Sequence, residues 1–265
     1  MDFQLCKTTT KEELKNFDRE KYKANIKFDG ERIIAFVDKG EVSLLNRRQN
    51  IKTSNYKEVV NALKDFPDCI LDGEVISLDD NFDKLQKRAL TTNKFKQKNL
   101  EKTIPVKYMV FDIIKINDKY LGCEILKDRI KEFENLEKND VINFAEYGDL
   151  DLMFEKAKDR EGIVIKNMSG YYSGKRTSNW LKLKNFKETE LTLTTYTINN
   201  AGIRGEDIDG NKVQIAGKQH TEVKNKIDDL GYCEVNIQYL SKTKEGRFRF
   251  PSYRGLKETE TLIKG

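Results

Sequence analysis

The hydrophobic period of this chain changes near residue 186, and that change limits what it can fold into. Ahead of it, apolar alternating segments at 24–28, 32–37, 42–45, 69–76 and 107–114 read as strands. Helical periodicity fills the intervals at 55–66, 82–90, 127–138 and 149–159; in the first of these Val59, Val60 and Leu63 share a face. Antiparallel-looking strands interleaved with helices imply an α+β domain. After residue 186 the strands are short, at 191–198, 212–215, 233–240 and 247–253. Turn signals at Gly202, Asp209-Gly210, Gly231 and Glu245-Gly246 separate them, and one helix fits 221–230.

The expected organisation is a first domain over residues 1–186 and a second over 187–265. Five or so short strands and one helix in the second suit a small β-barrel, with the oligonucleotide-binding (OB) fold foremost. The few residues from 185 to 189 suit a hinge.

No apolar run nears the ~20 residues that span a bilayer, and residues 1–11 lack an apolar signal core. Membrane insertion and secretion are therefore not expected. Cys6, Cys69, Cys123 and Cys233 are scattered and form no CxxC pair, which disfavours disulfide staples and structural zinc. A reducing setting fits: the cytoplasm, or the nucleic-acid compartment of a host cell. The 49 basic residues exceed the 44 acidic ones by only five, an excess that alone describes a solvated surface.

Chemistry concentrates in a few strings. Lys27-Phe28-Asp29-Gly30-Glu31-Arg32 follows an apolar strand. Read plainly it is a strand ending in an Asp-Gly turn. Read as reactive, it holds a lysine beside an arginine, whose pKa falls enough to expose a lone pair. Asn46-Arg47-Arg48 ends a further strand. Leu71-Asp72-Gly73-Glu74-Val75-Ile76 and Glu161-Gly162-Ile163-Val164-Ile165-Lys166 set carboxylates inside apolar strands, where an unpaired charge is costly. Trp180-Leu181-Lys182-Leu183-Lys184 alternates strictly, so Lys182 and Lys184 share one face. Carboxylates and cations projecting from strands suit a metal-bound polyphosphate, since Mg²⁺ takes oxygen ligands and phosphate takes lysine and arginine.

In this order the strings KFDGER, LNRR, LDGEV, YMVFDI, EGIVIK and WLKLK resemble the covalent nucleotidyltransferase superfamily, specifically ATP-dependent DNA ligases. The resemblance covers residues 24–186 as a nucleotidyltransferase domain, with the tail as its OB-fold partner. Arg249-Phe250-Pro251-Ser252-Tyr253 is similar to the segment before the last ligase motif. The layout resembles that of the small viral ligases, without the long hairpin with which they encircle DNA, for which 198–212 leaves no room.

The resemblance implies an enzyme that seals 5′-phosphate/3′-hydroxyl nicks in duplex DNA through a lysyl-AMP and an adenylated DNA end. ATP would be its substrate and Mg²⁺, or Mn²⁺, its metal; nicked duplex DNA would be its partner, and the protein a monomer. By the same resemblance Lys27 would carry AMP, and Arg32, Arg47 and Glu74 would contact ribose or phosphate. Phe111 and Val164 would sandwich adenine, although an aromatic in an apolar strand is ordinarily core. Glu161, with Glu74, would hold the metal, and Lys182 and Lys184 the α-phosphate. Asp29 and Arg176 are the DNA-contact candidates. Lys257, standing where the last motif normally has arginine, and Arg254 would orient the pyrophosphate. His220, a lone histidine in a polar helix, reads as surface.

RNA ligase is the main alternative, because it shares the lysine, the carboxylates and the paired lysines. NAD-dependent ligation would need a further domain ahead of Lys27 and a zinc module behind it, and an mRNA guanylyltransferase carries a different stretch around the last lysines. A single-strand-binding module would use the same barrel and basic surface, but has no reason to keep Lys27, Glu74 and Glu161 in strands.

Overall fold

In this computed structural model, which describes residues 2–243 and 245–257, the chain divides into two units, Met1–Leu183 and Lys184–Gly265. The first unit opens with β1 (Leu5–Thr8), β2 (Tyr22–Ile26), β3 (Glu31–Asp38), β4 (Glu41–Asn46), α1 (Lys57–Leu63) and β5 (Cys69–Ser77). It continues through α2 (Phe82–Leu90), α3 (Lys94–Thr103), β6 (Val106–Ile116), β7 (Lys119–Tyr120) and α4 (Leu126–Lys131). Strand β8 (Ile142–Phe144), helix α5 (Leu150–Lys156), β9 (Gly162–Asn167) and β10 (Arg176–Lys184) complete it.

Two sheets organise this unit. The larger runs β4-β3-β5-β6-β7, with β8 parallel to β6. Alternation along β3, β5 and β6 turns Ile33, Ala35, Leu71, Val75, Tyr108 and Val110 to one face, where α1 and α2 cover them with Val59, Leu63, Leu85 and Ala89. The smaller sheet runs β1-β10-β9-β2, with β1 parallel to β10. It buries Ala24, Ile163, Ile165, Leu181 and Leu183 on Leu150, Met153 and Ala157. Each of the leucine, isoleucine and methionine side chains contributes ~1.5–3 kcal/mol by leaving water. A third cluster joins the sheets: Phe111 and Ile114 of β6 pack with Tyr172 and with Trp180 of β10.

The glycines of both Asp-Gly strings are required by close approach. A Cβ on Gly30 would lie 2.1 Å from the Val75 carbonyl, so only glycine lets the β2–β3 connection ride on β5. One on Gly73 would meet the Tyr108 ring at 2.5 Å, and that ring must pass for its hydroxyl to reach the Ile33 and Leu71 carbonyls.

The second unit contains β11 (Lys187–Leu193), β12 (Thr195–Asn199), β13 (Gly202–Glu206), β14 (Lys212–Ile215) and α6 (Gln219–Leu230). After these come β15 (Cys233–Tyr239), β16 (Ser241–Lys242), β17 (Phe248–Arg249) and β18 (Ser252–Leu256). Sheets β11-β15-β18 and β12-β13-β14 enclose Leu191, Leu193, Ile203, Val213, Ile215, Val235 and Ile237, with Val223 and Ile227 of α6.

Several expectations are corrected. The segment 191–198 is two strands broken at Thr194, and 247–253 is interrupted at Phe250, whose φ of 54° precedes Pro251. Gly202 starts a strand, because its φ of 126° lets β13 fold back on β12. The helix expected at 127–138 ends at Lys131 and tightens into a 3-10 turn over Glu132–Asn135. Among the described residues, no helix is long and apolar enough to cross a membrane.

Candidate active site

Lys27 lies just beyond β2, where its backbone N–H still bonds the Gly162 carbonyl at 2.8 Å and so locks it to β9. Its Nζ donates to Glu161, the residue immediately ahead of β9. Glu161 keeps 7% of its side-chain surface exposed and Lys27 23%, so the pair sits in a recess with one open side. Glu74 stands on β5 opposite Arg32 of β3, within the electrostatic reach of both Lys27 and Glu161.

Burial acts to lower the Lys27 pKa, but the charge and hydrogen bond of Glu161, with Glu74 and Asp29, outweigh it and hold the amine above its usual range. The lowered pKa expected from the neighbouring arginine is thereby corrected: Arg32 is occupied elsewhere, and carboxylates face the amine. Glu74 is pushed up to about 8, first by burial, against the lowering charges of Lys27 and Arg32, with Glu161 and Asp72 adding repulsion.

Arg32 makes a two-pronged pair with the fully buried Asp72, Nε to Oδ1 at 2.9 Å and Nη2 to Oδ2 at 2.6 Å. Its Nη1 donates to the Gln4 carbonyl at 2.6 Å, and the guanidinium lies within 5.3 Å of the ring centres of Phe3, Phe111 and Trp180. Tyr172 donates to Asp72 at 2.8 Å and accepts from the Gln4 N–H. The site expected at Arg32 is thus a closed hub joining the chain's start to β3, β5 and the approach to β10.

The wall of the recess comes from the β2–β9 pair. Asn25 registers opposite Val164, on the face opposite to the buried Ala24 and Ile163. Asn25 is 2% exposed, and its Oδ1 has no hydrogen-bond partner. Lys166, 1% exposed, shares that face of β9; it donates to the Phe111 carbonyl at 3.1 Å and the Tyr147 hydroxyl at 2.7 Å. Its Nζ lies 3.9 Å from the Trp180 ring centre, and burial lowers its pKa to about 7, against the raising charges of Asp112, Asp72 and Cys6. Phe111 is 7% exposed, edge-on to Trp180 at 5.8 Å. Cys6 lies amid Arg32, Lys166, Lys27 and Lys182, though burial prevails over those charges and raises its thiol. Lys182 therefore belongs to the same electrostatic neighbourhood as Lys27.

The remaining candidates are dispersed. Arg47 is exposed in the turn after β4. Asp29 is half-buried beside Lys27, and Arg176 begins β10, exposed, with Nη1 on the Cys6 carbonyl. Within the second unit Lys184 faces the Phe250 ring at 4.9 Å, Lys257 bridges Glu190 at 2.7 Å and Glu234 at 3.4 Å, and Arg254 donates to Gln238. His220 is half-buried on α6, its Nδ1 against the Gly217 carbonyl.

Sequence patterns alone did not mark Asn25, Asp72, Lys166 or Tyr172 as site residues. Alternation could have flagged Asn25, a polar residue two positions before Lys27 on the face shared with it.

Among the described residues no group of three or more His, Cys, Asp or Glu side chains could cage a metal ion. Two carboxylates near one another, with Glu74 strained by Glu161, instead fit Mg²⁺ arriving on phosphates, which binds through one or two carboxylates and keeps its waters.

The family described as ATP dependent DNA ligase domain matches residues 3–184. The SPbeta prophage-derived DNA ligase-like protein LigB of Bacillus subtilis (strain 168) is 29% identical over 261 residues, covering 89% of this chain and 93% of that protein. DNA ligase 2 of Methanosarcina mazei is 32% identical over 185 residues, covering 62% of this chain but only 32% of that protein. Among solved structures, a Lig E DNA ligase described as binding DNA with a minimal scaffold superposes with a TM-score of 0.71 at 17% identity, over 97% of this chain and 99% of that one. That likeness shows the fold: an α+β nucleotidyltransferase unit, antiparallel but for the β1–β10 and β6–β8 pairs, followed by an OB-type unit.

Proposed function

The chain belongs to the ATP-dependent DNA ligase family, and from that premise we propose that it seals 5′-phosphate/3′-hydroxyl nicks in duplex DNA through lysyl-AMP on Lys27. The observation that supports this most is the recess that brings Lys27 against Glu161 and Glu74 from three separate strings.

Lys27 attacks the α-phosphorus of ATP; an N–P bond forms, the P–O bond to the leaving pyrophosphate breaks, and the lysine proton departs. Protonated and paired, Lys27 has no lone pair to offer. Glu161, with Glu74, would hold the Mg²⁺ that ATP carries; released from its pair, the desolvated amine would give up its proton to water. When bound, that cation neutralises charge on the phosphates. Lys182 holds the α-phosphate, Val164 lies against one face of adenine, and the orphan Oδ1 of Asn25 accepts from the base's amino group. A 5′-phosphate oxygen of the nick next attacks the AMP phosphorus and frees Lys27. The 3′-hydroxyl oxygen then attacks the 5′-phosphate, forming the phosphodiester and releasing AMP.

Intact-mass spectrometry after incubation with ATP and Mg²⁺ tests the reading. One AMP should be added, absent in Lys27→Ala, and the labelled AMP should pass to the 5′ end of a nicked duplex. Retention of the adduct by Lys27→Ala would overturn it.

A further inference from the structure

We propose that the outer face of α3 is a DNA-docking stripe that grips duplex backbone beside the nick; this deepens the ligase reading and rests on it. The sequence of α3, KFKQKNLEKT, has four lysines and one glutamate in ten residues. At 100° per residue Lys94, Lys98 and Lys102 fall on one row, i, i+4 and i+8, with Phe95 and Asn99 alongside. Glu101 borders the row, three residues after Lys98, and Gln97, about 100° round from Lys98, is the residue by which the helix is buried. All three lysines are exposed, and among the described residues none forms an ion pair.

Like charges at this spacing work against the helix, and a polyanion laid along the row relieves that repulsion. Phe95, 84% exposed, stands beside the first lysine of the row. A row of cations with one apolar ring suits a polyanion that also has apolar surface, which is what phosphate and sugar offer along a strand. The row spans ~12 Å of helix axis, enough for about three or four phosphates of one strand at ~3.4 Å of duplex axis per charge.

The helix is mounted rigidly. Asn93 caps it by accepting from the Lys96 N–H at 3.0 Å. Asn55 and Gln97 both donate to the Thr91 carbonyl, at 2.9 and 2.8 Å. The fully buried Arg88 reaches the Ile104 carbonyl at the far end, at 2.6 Å. Lys52 donates to the Ala89 carbonyl at 2.6 Å and pairs with Glu31 at 3.5 Å. That tie anchors the end of α2, just ahead of α3, to the start of β3. A rigid cationic row can position a duplex without losing side-chain and loop freedom on binding.

The test uses full-length protein with Lys94→Gln, Lys98→Gln and Lys102→Gln combined, the matching triple Lys→Arg variant, and Phe95→Ala. Affinity for a nicked duplex is read by fluorescence anisotropy over a salt series, with AMP loading from ATP in parallel. In the glutamine triple the slope of log affinity against log salt should become shallower by about 2 to 3, at ~0.9 for each phosphate no longer neutralised, with AMP loading and melting temperature retained. The arginine triple should keep the wild-type slope, and Phe95→Ala should weaken nick affinity several-fold with the slope unchanged. A glutamine triple with wild-type slope and affinity would overturn the stripe and leave the ligase reading intact, as would finding that the row captures only an acidic protein. A wild type that takes up no AMP and binds no nick would overturn both.

Discussion

Lys27 and Glu161, 134 positions apart in sequence, form an ion pair in which Nζ donates to a carboxylate oxygen. Strand β2 presents the amine and strand β9 the acid, so the pair is as rigid as the β2–β9 ladder beneath it. The amine is thereby held in its protonated form, which has no lone pair to offer.

Replacing Glu161 with Gln should therefore free the amine. Burial would then act with less opposition, and the Lys27 pKa should fall from its raised position. Labelling of Lys27 by an amine-reactive reagent across pH, read by peptide mass spectrometry, should show the midpoint move down. AMP loading should nonetheless drop by orders of magnitude with melting temperature held. A variant that loads AMP normally and only melts earlier would make Glu161 structural.

Glu74 supplies a pH signature. Its folded value of about 8 exceeds the ordinary 4.5, so between those limits the folded chain binds a proton that the unfolded chain does not. Stability contributed here is present below about 4.5 and lost as pH rises through 8. Glu74→Gln should flatten that decline in thermal melts, and an unchanged pH profile would contradict it.

Lys166 carries the opposite sign to Glu74. Its value falls from 10.5 to about 7 on folding, so between these limits the unfolded chain holds the extra proton and stability rises with pH. Lys166→Met should remove this rise. The difference in unfolding free energy between wild type and variant, followed from pH 7 to 10 in denaturant, measures it.

The buried hubs should be costly to break. Asp112 and Arg129 are both 0% exposed, joined by two bonds of 2.7 Å. Asp112→Ala strands a buried guanidinium and should cost ~3–5 kcal/mol in denaturant unfolding. Asp72→Ala should cost a similar amount by leaving Arg32 without its partner. A loss below ~1 kcal/mol in either would mean that water re-solvates the arginine.

Alternation and helical period made the frame legible. Phe82–Leu90 is the helix expected, and Cys69–Ser77 and Val106–Ile116 extend their expected strands by one and by three residues. Helix α3 left no such trace, since Phe95 and Leu100, its bulky apolar residues, lie about 140° apart and define no face. Strand β1 was hidden because Leu5–Thr8 is short and pairs with β10 far along the chain. Within the site, the strings around Lys27, Glu74 and Glu161 named residues that do converge. Arg32 and Asp72 were visible too, but their pairing depends on β3–β5 register, and no local pattern reveals which buried charge satisfies which.

Strand β1 begins at Leu5, yet among the described residues its one neighbour in the sheet is β10, where Leu5 registers with Arg176. During synthesis the lysine-bearing segment therefore leaves the ribosome long before the strands that complete its surroundings. Until β9 and β10 have emerged, Lys27 lacks the Glu161 carboxylate to which it donates, and Gln4 has no Tyr172 to bond. Such distant pairings close late and slowly, after loop entropy has been lost. A ribosome-bound nascent chain shorter than the whole first unit should thus be inert toward ATP, and chemistry should switch on only once that unit is complete.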